Sequence, residues 1–157
     1  QPDDWRSVFD VNLIGPVLLA KAAVPVMASL GGGSIVLVNS DQAWRVVPGF
    51  AAYSASKSAL ISLMRHMARE FGPIRIRVNS VHPGMIMGDA LEGFFVHLAS
   101  LEGASPDAVR ARFASNAALG YIPDAREMAG AIVFFASHLS RAISGQSLCV
   151  DGGSHFH

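Results

Sequence analysis

Tyr53 and Lys57 stand four residues apart in Tyr53-Ser54-Ala55-Ser56-Lys57, and Ser40 lies thirteen residues before the tyrosine. A phenol with its unperturbed pKa of about 10 is a poor proton carrier at neutral pH. On a helix, positions i and i+4 share a face, roughly 5–6 Å apart at Cβ. An ammonium held there favours the phenolate and draws the tyrosine toward the working range. Ser40 closes the apolar run Ser34-Ile35-Val36-Leu37-Val38-Asn39, which predicts a buried strand. A hydroxyl at that strand end can reach the space the tyrosine faces. The three side chains describe a site that gives a proton to, or takes one from, an oxygen held by Ser40.

The elements that must carry them follow from punctuation. Asp3 or Asp4 can cap a helix to about Ser29, with Trp5, Val8, Phe9, Asn12 and Leu13 at helical spacing and a kink or last turn near Pro25. Gly31-Gly32-Gly33 stops it, and the Ser34–Asn39 strand follows. Asp41 to Gly49 reads as a loop ending in Pro48-Gly49. A helix over about Ala51 to Phe71, stopped by Gly72-Pro73, holds both Tyr53 and Lys57. Arg75 to Val81 alternates as a second strand closed by Pro83-Gly84. One or two helices lie between Met85 and Tyr121, one signalled by Ser105-Pro106-Asp107. A last helix from Pro123-Asp124 to about Leu139 and a strand from Ser147 to Val150 complete the order. Strand, helix, strand, helix, strand predicts an α/β fold with three parallel strands and right-handed crossovers.

Composition narrows the function classes. The chain has 157 residues, 51% of them hydrophobic, which suits one domain (1–157) with a sizeable core. Twelve basic and twelve acidic residues cancel, so charge gives no case for nucleic acid or an anionic membrane. No uninterrupted apolar run reaches the roughly 18–20 residues of a membrane span. A single cysteine, Cys149 in the last strand, excludes an intrachain disulfide, reads as a buried inert thiol and suits a reducing cytoplasm. His82, His97 and His138 show no ligand spacing, and the tail His155-Phe156-His157 is too short a signal for a metal. The start, Gln1-Pro2-Asp3-Asp4-Trp5, carries neither a signal peptide nor an initiator methionine, so the chain looks cut.

In ordered series the motifs resemble the short-chain dehydrogenase/reductase family. They run from Val11-Asn12-Leu13 through Gly33-Ser34-Ile35-Val36, Ser40 and Tyr53-Ser54-Ala55-Ser56-Lys57. They continue with Ile76-Arg77-Val78-Asn79-Ser80-Val81-His82-Pro83-Gly84, Ile143-Ser144-Gly145-Gln146 and Val150-Asp151-Gly152-Gly153. The resemblance implies the second half of a doubly wound, Rossmann-like sheet with a helical lid over about 85–121. It implies an oxidoreductase that interconverts a carbonyl and a secondary alcohol with NAD or NADP. Tyr53 would be the acid or base and Ser40 the holder of the substrate oxygen. Lys57 would tune Tyr53 and grip the nicotinamide ribose, and Asn12 would support a water-linked proton path to the lysine. Pro83, Gly84 and Ile86 would face the nicotinamide, while Asn79 braces that turn. Asp41, Gln42, Trp44 and Met85 would line the substrate pocket, and Met87, Leu91, Phe94 and Phe95 fall in the lid.

The family usually places a threonine after this turn, where the chain has Gly88, so one cofactor contact is in question. The glycine-rich phosphate turn should follow a strand, whereas Gly31-Gly32-Gly33 precedes one. By that measure roughly a hundred residues are expected upstream. Homodimers or homotetramers are expected of the full-length protein. Two other readings stay open. One is an inactive fragment or interaction piece. The other is a serine acyl hydrolase, because Ser54-Ala55-Ser56-Lys57 also spells Ser-x-x-Lys, although its companion motifs are absent.

Overall fold

The computed structural model describes the backbone of residues 2–156 and the side chains of residues 4–156. Helix α1, Pro2–Phe9, runs through a π-helical turn, Asp10–Ile14, into α2, Gly15–Ser29. Strand β1 is Gly33–Val38, α3 is Ala51–Phe71 and β2 is Ile76–Pro83. Helices α4, Asp89–Glu102, and α5, Pro106–Ala114, precede α6, Ala125–Ala136, and strand β3, Ser147–Val150. The three strands form one parallel sheet in the order β1-β2-β3, the expected α/β layout.

Strand alternation sorts the helices onto the two faces. Ile76 and Val78 point into a core shared with Ala20 of α2 and with Met64 and Met67 of α3. Their neighbour Arg77 points the other way, where its guanidinium donates to the Phe135 carbonyl at the end of α6. Ser34 of β1 donates to the same carbonyl, so α6 covers the second face. The sheet is sandwiched, and β1 is paired on one side only.

The punctuation signals hold at most boundaries. Gly31 and Gly32 take φ of 90° and 127°, ending α2 in a conformation that suits glycine. A Cβ on Gly32 would sit 2.4 Å from the Arg75 carbonyl oxygen, so the close approach also needs glycine. Ser105 caps α5 by accepting from Ala108 N–H, and Asp124 with Glu127 forms a full capping box on α6.

The helix runs to Ser29 as expected, with Pro25 inside it near its end. Three expectations need correction. Helix α1 already includes Pro2, so Asp4 lies inside it and is no cap; the Asp3 side chain lies outside the described residues. The last helix stops at Ala136, and His138–Ser140 forms a separate 3₁₀ turn. Finally, Asp4–Ser29 is, among the described residues, one helix long and apolar enough to cross a membrane by length and composition. Here one face, with Val17, Ala20, Val24 and Met27, packs into the domain core, while Val11, Ile14, Leu18, Leu19 and Val26 are exposed.

Cys149 is half-buried in β3 and unbridged, and burial, helped by Asp151 and Asp41, pushes its thiol up to about 11. The thiolate is the reactive form, so alkylation at pH 8 is expected to run about a hundredfold slower than in the unfolded chain. The rate should climb about tenfold per pH unit until the pH nears that value. Rapid labelling by iodoacetamide at pH 8 in the folded protein would contradict the buried environment.

Candidate active site

The C-terminal ends of parallel strands are where such sheets build sites, and the candidate residues gather there. Ser40 follows β1, is buried, and its Oγ accepts from Gln42 N–H at 3.2 Å. Tyr53 and Lys57 sit in the first two turns of α3, which α1 and the π turn pack against. The Lys57 Nζ stands 5.6 Å from the centre of the Tyr53 ring. The i, i+4 geometry expected from the spacing is therefore present.

Lys57 is 8% exposed, and burial holds its ammonium below the usual lysine value. Its Nζ donates to the Val38 carbonyl at 3.2 Å, with no carboxylate partner among the described residues. Two of its three N–H donors are thus uncommitted toward the site. A buried cation in this position wants hydroxyl or anionic partners.

Asn39, which ends the strand pattern, fixes the spacing between serine and lysine. Its Nδ2 donates to the Lys57 carbonyl at 3.1 Å, and its Oδ1 accepts from Ser40 N–H at 3.0 Å. Asn12 lies in the π turn, where Gly15 N–H reaches back five residues to the Asp10 carbonyl. Its Nδ2 donates to Ser56 Oγ at 3.0 Å, and that hydroxyl donates to the Tyr53 carbonyl at 2.7 Å. This tie compensates for an asparagine within a helix.

A cavity of about 650 Å³ opens over these residues. Ser40, Asp41, Gln42, Tyr53, Gly84 and Met85 line it, and Leu91 and Phe94 of α4 with Phe113 of α5 form its apolar side. The expected lid residues divide. Leu91 and Phe94 face the cavity, whereas Phe95 is fully buried in a separate lid core with Ala99 and Val109. Met87 packs against that core and is tied to Asp124 and Pro123 by backbone pairing.

Trp44 is not brought to the cavity wall. Its ring stacks on His82 at 4.2 Å, with 28° between planes. His82 is the residue the sequence pattern passed over. It is fully buried, its Nδ1 lies 3.1 Å from the Ser40 carbonyl oxygen and its Nε2 2.7 Å from Ser80 Oγ. Arg45 was also missed. It lines the cavity and pairs with buried Asp41 at 2.7 Å, so the expected pocket acid arrives with a counter-charge. The one available signal was a titratable histidine at the C-terminal end of β2, directly before Pro83-Gly84.

Pro83 ends β2, and Gly84 N–H donates to the Val150 carbonyl. A Cβ on Gly84 would come within 2.6 Å of the Asp151 Cβ, so the turn is pressed flat against the end of β3. Ile86 is half-buried beyond it. Asn79 does not brace this turn; it holds the loop before β3, donating to the Ile143 carbonyl and accepting from Gln146 N–H. Ser54 Oγ is buried without a partner among the described residues, and Lys57 donates to the Val38 carbonyl and not to that serine, so none of these residues is placed as the base of an acyl-transfer nucleophile. Among the described residues no cluster of metal-ligand types occurs.

Residues 1–155 match the family model described as Enoyl-(Acyl carrier protein) reductase. An uncharacterized short-chain type dehydrogenase/reductase from Sinorhizobium fredii is 36% identical over 98% of this chain and 58% of its own length. The chain belongs to the short-chain dehydrogenase/reductase family. Dehydrogenase/reductase SDR family member 4 from Bos taurus, also a short-chain dehydrogenase/reductase by name, is 35% identical over 98% of the chain and 52% of the relative. L-sorbose reductase from Gluconobacter frateurii, solved with NADPH and L-sorbose, superposes with a TM-score of 0.93 at 26% identity. It is matched over 98% of this chain and 59% of that one. The chain thus spans a little over half the length of the short-chain dehydrogenases/reductases it matches.

The residues present fit the nicotinamide end of a dinucleotide. Lys57 offers uncommitted N–H donors, and Gly84 of the Pro83-Gly84 turn lines the cavity without a side chain. Gly31 and Gly32 end a helix and Gly33 opens β1, so the three form no phosphate cradle between strand and helix.

Proposed function

We propose that the protein is an NAD- or NADP-dependent oxidoreductase that interconverts a small-molecule carbonyl and a secondary alcohol. The observation that carries this reading is the pairing of Ser40 and Tyr53 on one cavity wall, with the buried Lys57 ammonium 5.6 Å from the phenol ring. When bound, a nicotinamide dinucleotide supplies or takes up the hydride at the reacting carbon. Ser40 Oγ donates to the substrate oxygen and fixes it. Tyr53 gives its proton to that oxygen in reduction and removes it in oxidation. Lys57 stabilises the negative charge left on the phenol oxygen and holds the ribose hydroxyls. Asn12, through Ser56, sets the first turn of α3 and so the aim of Tyr53.

The apolar lid side chains keep water from the reacting carbon. NADPH in the L-sorbose reductase structure supports a nicotinamide cofactor of either form here. The single, unbridged Cys149 supports a cytoplasmic protein, and the neutral charge balance gives no case for a nucleic-acid or anionic-membrane partner. The exposed apolar side chains of Val11, Ile14, Leu18 and Leu19 support self-association into a dimer or tetramer. Sedimentation as a monomer at micromolar concentration would contradict that assembly.

The experiment is oxidation of NADH or NADPH, followed by absorbance, over a panel of ketones and aldehydes. Ser40→Ala is expected to lower turnover by roughly 10²-fold, the scale of one oxyanion donor, with cofactor affinity nearly unchanged. No carbonyl-dependent oxidation, together with no dinucleotide binding, would favour the second reading, a non-catalytic interaction piece. The specific observation behind that second reading is that Gly31 and Gly32 end α2 and so cradle no phosphate.

A further inference from the structure

At the opposite end of the sheet, beneath the first residues of β1 and β2, lies a second cleft of about 690 Å³, as large as the catalytic cavity. Arg75, Arg77, His138 and Arg141 line it, and none of its lining residues is acidic. In a chain with equal numbers of acids and bases, three arginines here make a local excess of positive charge.

Arg77 is the built part. Its guanidinium donates to the Phe135 and Ser137 carbonyls and to Ser140 Oγ, at 2.8–3.1 Å. These partners are neutral, so the fork is held rigidly while its charge stays uncompensated. It also pins the 135–140 segment from which Arg141 projects. Among the described residues, neither Arg75 nor Arg141 forms an ion pair.

Arg75 adds an independent sign. Its φ is +60°, the left-handed region that glycine occupies more readily than any branched side chain. Backbone hydrogen bonds lock it there, from its own N–H to the Gly72 carbonyl and from Gly33 N–H to its carbonyl. An arginine therefore stands at the cleft rim where the fold alone would prefer glycine. Strain of this kind clusters where a side chain has work to do.

We propose that this cleft binds a small phosphomonoester, with the phosphate against Arg75 and Arg141, beside the fixed charge of Arg77, and the organic part along Ala68 and Ile143. The planar guanidinium forks of Arg75 and Arg141 match phosphate oxygens in pairs, and a 690 Å³ cleft is of the size that holds metabolite-sized ligands. The site is remote from Ser40, Tyr53 and Lys57, and it stands whether or not the proposed oxidoreductase chemistry does.

The test is calorimetric titration of the protein with phenyl phosphate and with inorganic phosphate at constant ionic strength. Phenyl phosphate is expected to bind more tightly than inorganic phosphate. Arg141→Ala and Arg75→Gly should each weaken it roughly tenfold or more, the loss of one charge-assisted contact. Arg75→Gly should fold at least as well as the parent, because glycine suits that φ, so lost binding cannot be blamed on lost structure. Tyr53→Phe should bind phenyl phosphate unchanged. No binding, binding by both arginine variants as tight as the parent's, or indifference to the phenyl group would each overturn the proposal.

Discussion

Tyr53→Phe is expected to cut kcat by roughly 10²–10⁴-fold, the range that general acid–base catalysis supplies, while nicotinamide binding survives. The substitution removes one oxygen and leaves the ring, its place in the first turn of α3 and its contact with the Lys57 ammonium. The Asn12–Ser56 tie is made to the Tyr53 backbone carbonyl, so it is untouched by the loss of the hydroxyl. Whatever activity disappears is then attributable to the proton. The measurement is steady-state turnover at saturating cofactor, with cofactor affinity read separately by fluorescence. Retention of most carbonyl reductase activity would sink the mechanism, because among the described residues no cavity-lining hydroxyl besides Ser40 is placed to replace the phenol.

Lys57→Met is expected to separate function from stability. Methionine keeps an unbranched apolar stem and removes the charge. Turnover should fall by roughly 10²-fold or more, and cofactor affinity should fall with it. Stability should not fall. Burial lowers the folded-state pKa of Lys57 below its unfolded value, so the unfolded chain binds that proton more tightly. The ammonium therefore costs stability at neutral pH. That cost is relieved as pH rises through the lowered folded value toward 10.5. Removing it should raise Tm or leave it unchanged at pH 7, with the lost bond to Val38 offsetting part of the gain. The wild-type protein should also gain stability relative to the methionine variant as the pH is raised. A variant that melts much earlier yet turns over normally would make Lys57 a structural residue.

Much of this architecture was legible because its signals are local. The Ser34–Asn39 run, the glycines before it and the capping residues of α5 and α6 act on their own neighbours, and each boundary fell within a residue or two. The Tyr53–Lys57 pair was legible for the same reason, since helix geometry alone brings i and i+4 together. What escaped depends on partners far along the chain. Asn79 holds a loop more than sixty residues away, and Trp44 spends its ring on His82 instead of the cavity. Nothing in the local pattern of either residue encodes that choice. The lid divided for a similar reason: adjacent Phe94 and Phe95 are alike in type, and only the packing of α5 against α4 decides which one faces the cavity. The π turn was invisible too, because sliding a hydrogen bond by one residue leaves the hydrophobic pattern almost intact.

That turn has a consequence for how the chain can change. An α-helix advances about 100° per residue, so one residue inserted into a regular helix would turn everything before it by that angle. The wide turn at Asp10–Ile14 takes up such a residue and leaves the helix before it on its heading. Trp5 and Val8 therefore keep their place in the wall of the crevice beside the start of α3, while the turn itself carries Asn12 to Ser56. Deleting one residue between Asp10 and Ile14 would close the turn into regular helix, leave both flanking segments where they are, and take away the wide loop from which Asn12 reaches Ser56. One residue of length is thus what the tie behind the tyrosine rests on.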